Sequence, residues 1–221
     1  MNFEQARFNM VEQQIRPWEV LDQAVLDLLY AVPREEFVPP AYATLAFSDM
    51  EIPLEPGHRD GERMWAPKIE ARVLQELSVK KSDRVLEVGT GSGYLTALLA
   101  HRAAQVHSVE IKPALAEFGR ANLARHGSEN VTLEIGDAAR GWARHAPYDV
   151  IVLTGSTPLL PDAFVEQLAP GGRLFAVVGD APVMVARLVT CAAPGACSHV
   201  DLFETQIAPL ANCLQPDRFN F

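Results

Sequence analysis

From Arg84 onward, short runs rich in β-branched residues alternate with stretches of helical periodicity. The runs "RVLEV", "AQVHSVE", "NVTLEI", "YDVIVLT" and "GGRLFAVVG" are separated by segments such as "YLTALLAHR" and "ALAEFGRANLARHG". Strands this apolar need cover on both faces, and strands separated by helices pair in parallel, so the pattern predicts an α/β fold of βαβ units with helices on both faces. The alternation then stops. "PVMVARLVT" and "HVDLFETQIAPL" follow one another with only a loop between them, which predicts an antiparallel pair closing one edge of the sheet.

The first eighty residues read differently. "FNMVEQQI" and "WEVLDQAVLDLLYAV" have helical periodicity, and Pro33, Pro39 and Pro40 end the second helix and begin an irregular stretch. "KIEARVLQELSV" is helical again, with Ile69, Val73, Leu74 and Leu77 on one side. Residues 1–77 are therefore expected to form a helical cap with a loop segment, packed as one compact unit on a sheet domain of residues 78–221.

Composition narrows the function classes. A chain of 221 residues, 48% hydrophobic and 21% charged, buries roughly 70% of its unfolded surface and needs no staples. No apolar run approaches the ~20 residues of a membrane span, and the start lacks a basic segment followed by an apolar block, so a cytoplasmic protein is expected. A net charge of -9 repels a phosphate backbone and disfavours nucleic acid as substrate. Cys191, Cys197 and Cys213 match no paired Cys-x-x-Cys spacing, so reduced structural thiols are expected and neither a disulfide nor a zinc site. The histidines are scattered along the chain, and no metal site or His-centred nucleophile is expected.

The chemistry sits in "VLEVGTGSG", Val85 to Gly93, where a buried strand should turn into a helix. Gly89, Gly91 and Gly93 let the backbone approach a ligand, and the amides at the helix start favour electron-rich groups. A dinucleotide site would want a third glycine at position 94, where this chain has Tyr94. Glu87, two residues before the first glycine, is an awkward neighbour for a pyrophosphate but a tolerable one for a ligand carrying an ammonium and a sulfonium. Glu110 ends the second strand, placed to accept from both ribose hydroxyls. Asp137, in "EIGDAA", follows the third and is placed to accept from an adenine amine. Thr154, in "VLTGS", follows the fourth. All lie at successive strand C-termini, the edge on which open α/β sheets bind ligands.

On these residues the sequence resembles the class I S-adenosylmethionine-dependent methyltransferases, and more narrowly the protein-L-isoaspartate O-methyltransferases. The likeness covers most of the chain, through "VPREEFVP", "VLEVGTGSGYLTALLA", "NVTLEIGDAARGW", "APYDVIVLTG" and "QLAPGGRLFAVVG". It implies a Rossmann-like, mostly parallel sheet of seven strands with an antiparallel last strand. It also implies S-adenosyl-L-methionine as cofactor, S-adenosyl-L-homocysteine as product, and isoaspartyl carboxylates of damaged proteins as acceptor. Thr90, Ile111 and Ala138 complete the expected cofactor set. The rival readings are a different acceptor, or a catalytically silent protein of the same fold.

One stretch departs from the resemblance. Where the isoaspartate enzymes resemble a short glycine loop running into Thr-Ile-Ser-Gln-Pro, this chain has "EPGHRDGERMWAP", Glu55 to Pro67. Arg63 and Trp65 stand in place of the two hydroxyls. Arg63 offers a bidentate grip on a carboxylate, and Trp65 offers water exclusion or stacking, so these two are the expected catalytic positions, in a segment that closes over the ligand. The competing expectation is that Trp65 packs in the core.

Overall fold

The computed structural model describes residues 2–55, 62–193 and 195–217. Residues 56–61 of the expected closing segment lie outside the described residues, as do Met1, Pro194 and the last four positions.

The N-terminal helices form where local signals favour them. Helix α1 (Phe3–Met10) starts at Asn2, whose side chain accepts from the Gln5 amide at 3.2 Å. It runs on through wide and tight turns to Trp18, and Glu19 then turns left-handed at φ 61°. The second helix is shorter than the sequence pattern predicts. Helix α2 (Gln23–Ala31) begins only after Asp22, which caps the Ala24 amide at 2.9 Å, because Glu19 breaks the chain direction within the periodic stretch. A two-residue ladder pairs β1 (Ile52–Pro53) with β2 (Arg63–Met64), and helix α3 (Pro67–Leu77) follows with proline in its first turn.

The sheet strands are β3 (Arg84–Val88), β4 (Gln105–Glu110), β5 (Val131–Ile135), β6 (Tyr148–Thr157), β7 (Leu168–Asp180), β8 (Val183–Ala193) and β9 (Ala196–Glu204), in the order β5-β4-β3-β6-β7-β8-β9. The first five named are parallel. The antiparallel close expected at the edge is present as a meander, in which β8 runs against both β7 and β9. Crossovers use α4 (Tyr94–Arg102), α5 (Pro113–Arg125) and the short α6 (Asp162–Glu166).

Alternation along the strands divides the core between two faces. Val85, Val106, Val150 and Phe175 pack with Leu26, Leu29, Val73 and Leu77 of the N-terminal helices, while Leu86, Val109, Ile151 and Leu174 face Tyr148 and Phe164 on the other side. Arg173 ties the cap to the sheet, donating to the carbonyls of Leu77 (2.8 Å) and Ser78 (3.0 Å) and to Asp83 (2.7 Å).

The expectation of reduced thiols fails for two of the three cysteines. Cys191 and Cys197 are bonded as a disulfide, and only Cys213, buried, is free. The two are directly opposed in the β8–β9 register. Cross-strand opposition of this kind depends on where the hairpin turns, which a spacing rule for Cys-x-x-Cys does not see.

Candidate cofactor-binding and active site

The β3–α4 turn is built from three left-handed glycines, at φ 98° for Gly89, 52° for Gly91 and 82° for Gly93. At Gly89 a Cβ would lie 2.1 Å from the Thr154 hydroxyl oxygen. That hydroxyl donates to the carbonyls of Val88 (2.8 Å) and Gly89 (2.9 Å), so Thr154 clamps the turn as well as lining the cleft. Gly93 is the one predicted glycine that does not reach the cleft wall. Its amide donates to the Thr90 carbonyl at 2.9 Å, and a Cβ there would meet the Gly119 carbonyl at 3.1 Å. It serves helix packing.

The turn opens on a cleft lined among others by Glu87, Gly89, Thr90, Gly91, Glu110, Ile111, Asp137, Ala138 and Thr154. Glu110 is buried, and its two carboxylate oxygens accept from the amides of Gly91 (2.9 Å) and Lys112 (3.0 Å). Each oxygen keeps a second lone pair for a ribose hydroxyl. Asp137 accepts from the Ala139 amide at 3.0 Å and from the Asn212 side chain at 2.8 Å. Thr90 is hydrogen-bonded to Ser108 at 2.6 Å, and Ile111 presents an apolar surface at the mouth.

Glu87 is fully buried and accepts from Thr96 (2.5 Å) and Ser108 (2.6 Å) through one oxygen, while the other has no partner among the described residues. Burial, only partly offset by those hydroxyls, pushes its carboxyl up to about 8. Glu87 also lines the cleft, where a cationic ligand group would favour loss of the proton that burial holds on it.

The sequence reading missed a second polar cluster. Arg34, from "VPREEFVP", is 1% exposed. Its guanidinium pairs with Glu70 on α3, donates to the backbone carbonyl of Trp65, and lies 5.1 Å over the Tyr94 ring. Burial raises Glu70 to about 7 against the pull of Arg34. A usable signal was present: Glu70 falls on the apolar side of α3 beside Ile69, Val73 and Leu74, where an acid needs a buried partner.

Both departures from the family pattern border the cleft. Trp65 is only 5% exposed, and its ring meets Phe175 edge-on with centroids 6.2 Å apart, so it is a core residue that also forms cleft wall. Arg63 sits in β2, half-buried, close enough to Glu51 to oppose the rise that burial causes in that carboxyl. The wall also includes elements the sequence did not announce. Glu62 pairs with Lys112 across the mouth, and the stretch Ala208–Ala211 passes under the strand ends, with Leu210 against Gly155. The histidines are less scattered than their sequence positions imply: His107 and His145 stack with ring centroids 4.0 Å apart.

A cleft at the C-terminal edge of this sheet, with acids on three successive strand ends and a glycine turn too tight for any side chain, accommodates a cationic nucleoside, and the fold and site together define an S-adenosylmethionine-dependent methyltransferase. The chain belongs to the protein-L-isoaspartate O-methyltransferase family. The family described as Protein-L-isoaspartate(D-aspartate) O-methyltransferase (PCMT) matches residues 5–212. A protein-L-isoaspartate O-methyltransferase of Gloeobacter violaceus is 38% identical over 201 residues, covering 91% of this chain and 96% of the relative. One from Methanoculleus marisnigri is 42% identical over 173 residues, covering 78% and 77%. A solved protein-L-isoaspartate O-methyltransferase superposes with a TM-score of 0.79 at 25% identity, covering 93% of this chain and 66% of that one. A Plasmodium falciparum structure of the same fold, at TM-score 0.77 and 20% identity over 96% and 99%, was solved with S-adenosyl-L-homocysteine.

Proposed function

We propose that this chain esterifies the free carboxylate of isoaspartyl residues in damaged proteins, taking the methyl group from S-adenosyl-L-methionine. The observation that carries the reading is the continuity of cleft and family: the matched segment contains the glycine turn, the three strand-end acids and the Arg34–Glu70 cluster that fixes Trp65. The cofactor fits residues already described. Glu110 would hold the ribose, Asp137 and Ala138 the adenine side, and Glu87 the amino-acid end. When bound, it supplies an electrophilic methyl on a sulfonium.

The protein's share of the chemistry is placement. An acceptor carboxylate is ionised at neutral pH and would need no general base to take the methyl group, the sulfonium leaving as a neutral thioether. Opposite charges cancel as the reaction proceeds, so excluding water favours it. Arg63 and Trp65, where the related enzymes resemble a pair of hydroxyls, are the side chains we place beside the acceptor. Arg63 would orient its carboxylate, and Trp65 would wall it from solvent. A cytoplasmic setting, with neither nucleic acid nor membrane as partner, belongs to the same reading and rests on the acidic charge and the lack of a spanning apolar run.

The deciding experiment is transfer of labelled methyl to matched peptides, one with isoaspartate and one with aspartate. Selective labelling of the isoaspartyl peptide is the expected result. Labelling of neither, with cofactor binding confirmed in the same preparation, would mean that the acceptor has changed along with the hydroxyls or that catalysis is lost.

A further inference from the structure

On the sheet face away from the N-terminal helices, three potential metal ligands from separate elements converge. His107 of β4, Glu134 of β5 and His145 of the turn Ala143–His145 each offer a donor atom, and all three atoms lie within 4.8 Å of one another. His107 is 7% exposed, and its Nδ1 has no hydrogen-bond partner among the described residues, an unsatisfied buried group that calls for an explanation. We propose that these three residues form a binding site for a divalent transition-metal ion of the zinc type.

The donor set is suitable. Two imidazoles and one carboxylate make a His-His-Glu site with room for a solvent ligand, and nitrogen-rich sets of this kind prefer zinc, cobalt or nickel to magnesium or calcium. His145 Nε2 and Glu134 Oε2 are already 2.9 Å apart. Two ligands on one tetrahedral zinc sit about 3.4 Å apart, given bonds of about 2.1 Å, so an ion replaces that hydrogen bond with a small opening. The rings of His107 and His145 lie nearly parallel, 10° between planes. Imidazole binds in its own plane, so coordination requires one ring to rotate. His145 has that freedom, with its side chain 28% exposed on a three-residue turn.

The surroundings both orient and restrain the site. Glu134 Oε2 also accepts from Trp142 Nε1 at 3.2 Å, and Arg144 holds Oε1, leaving the carboxylate fixed as outer partners fix a metal ligand. Arg144 and Arg84, which donates to the His145 carbonyl at 2.6 Å, are cations that oppose a metal ion and weaken its binding. An ion here would join β4 and β5 to the loop that carries Asp137 into the cofactor cleft. The reaction itself does not use it.

The test is titration of the tag-free protein with Zn²⁺ by calorimetry and with Co²⁺ by visible absorption, alongside His145→Ala, Glu134→Gln and, as control, His199→Ala. One ion per chain is expected, with affinity reduced at least about tenfold in the first two variants and unchanged in the control. His145 and Glu134 are not fully buried, so circular dichroism should show both variants folded. Absence of saturable one-to-one binding in the wild type, or wild-type affinity in folded His145→Ala and Glu134→Gln, overturns the proposal.

Discussion

The buried guanidinium of Arg34 donates to the backbone carbonyl of Trp65, reaching from the turn after α2 into the segment where this chain departs from its family. The same group neutralises Glu70, so one side chain supports both the fold and the cleft wall. Arg34→Lys keeps a charge but replaces two separate donor nitrogens in a planar fork with one. The expected loss is about 1–3 kcal/mol of stability, read by urea denaturation, with a higher KM for isoaspartyl peptide and an unaltered affinity for S-adenosyl-L-homocysteine. Wild-type stability and KM would show that the Trp65 carbonyl needs no such partner.

Trp65 contributes to core and cleft together. Trp65→Ala should cost about 3–5 kcal/mol through the cavity left against Phe175 and should depress methyl transfer at temperatures where the variant is still folded. If calorimetry and denaturation show the stability loss but the transfer rate per folded molecule is unchanged, Trp65 is core alone and Arg63 is left as the acceptor-side candidate.

Glu110 holds two loop amides and is the proposed ribose acceptor. Glu110→Ala is expected to weaken S-adenosyl-L-methionine binding by about 1–3 kcal/mol. An isothermal titration that matches wild type would remove Glu110 from the cofactor site.

The Glu87 carboxyl, raised to about 8 in the folded protein from 4.5, makes stability depend on pH in a defined direction. Below 4.5 both folded and unfolded chains carry the proton and burial imposes no charge penalty. Between 4.5 and about 8 the folded chain holds a proton that the unfolded chain releases, so this group's contribution falls as pH rises through that window. Glu87→Gln should therefore be more stable than wild type above pH 8, by a few kcal/mol, and lose that advantage on acidification. Parallel stability curves for the two proteins across the window would contradict the buried, proton-holding state.

Much of the scaffold was legible because it repeats a simple pattern. Runs such as "RVLEV" and "YDVIVLT" have few alternatives to buried parallel strands, and Gly89, Gly91, Glu110 and Asp137 could be placed from their position after each strand. What stayed hidden depends on pairings that only the folded register sets. Arg34 meets Glu70, Asp137 meets Asn212, and Cys191 meets Cys197 only once the register is set. Glu19 shows the local counterpart: the apolar periodicity runs straight through a residue whose left-handed backbone ends the helix. Trp65 was visible as an oddity, but whether a tryptophan lies in a core or on a cleft wall is decided by what stands opposite it, here Phe175 on β7.

The hydrogen bond from Asn212 to Asp137 spans 75 positions of the chain. During synthesis, the glycine turn and all three acids have left the ribosome long before Asn212 and the Ala208–Ala211 floor exist. A nascent chain stopped after β7 therefore has the ligand-binding edge without its underside, and cofactor can lend its full binding energy to folding only once residues 208–212 have joined it.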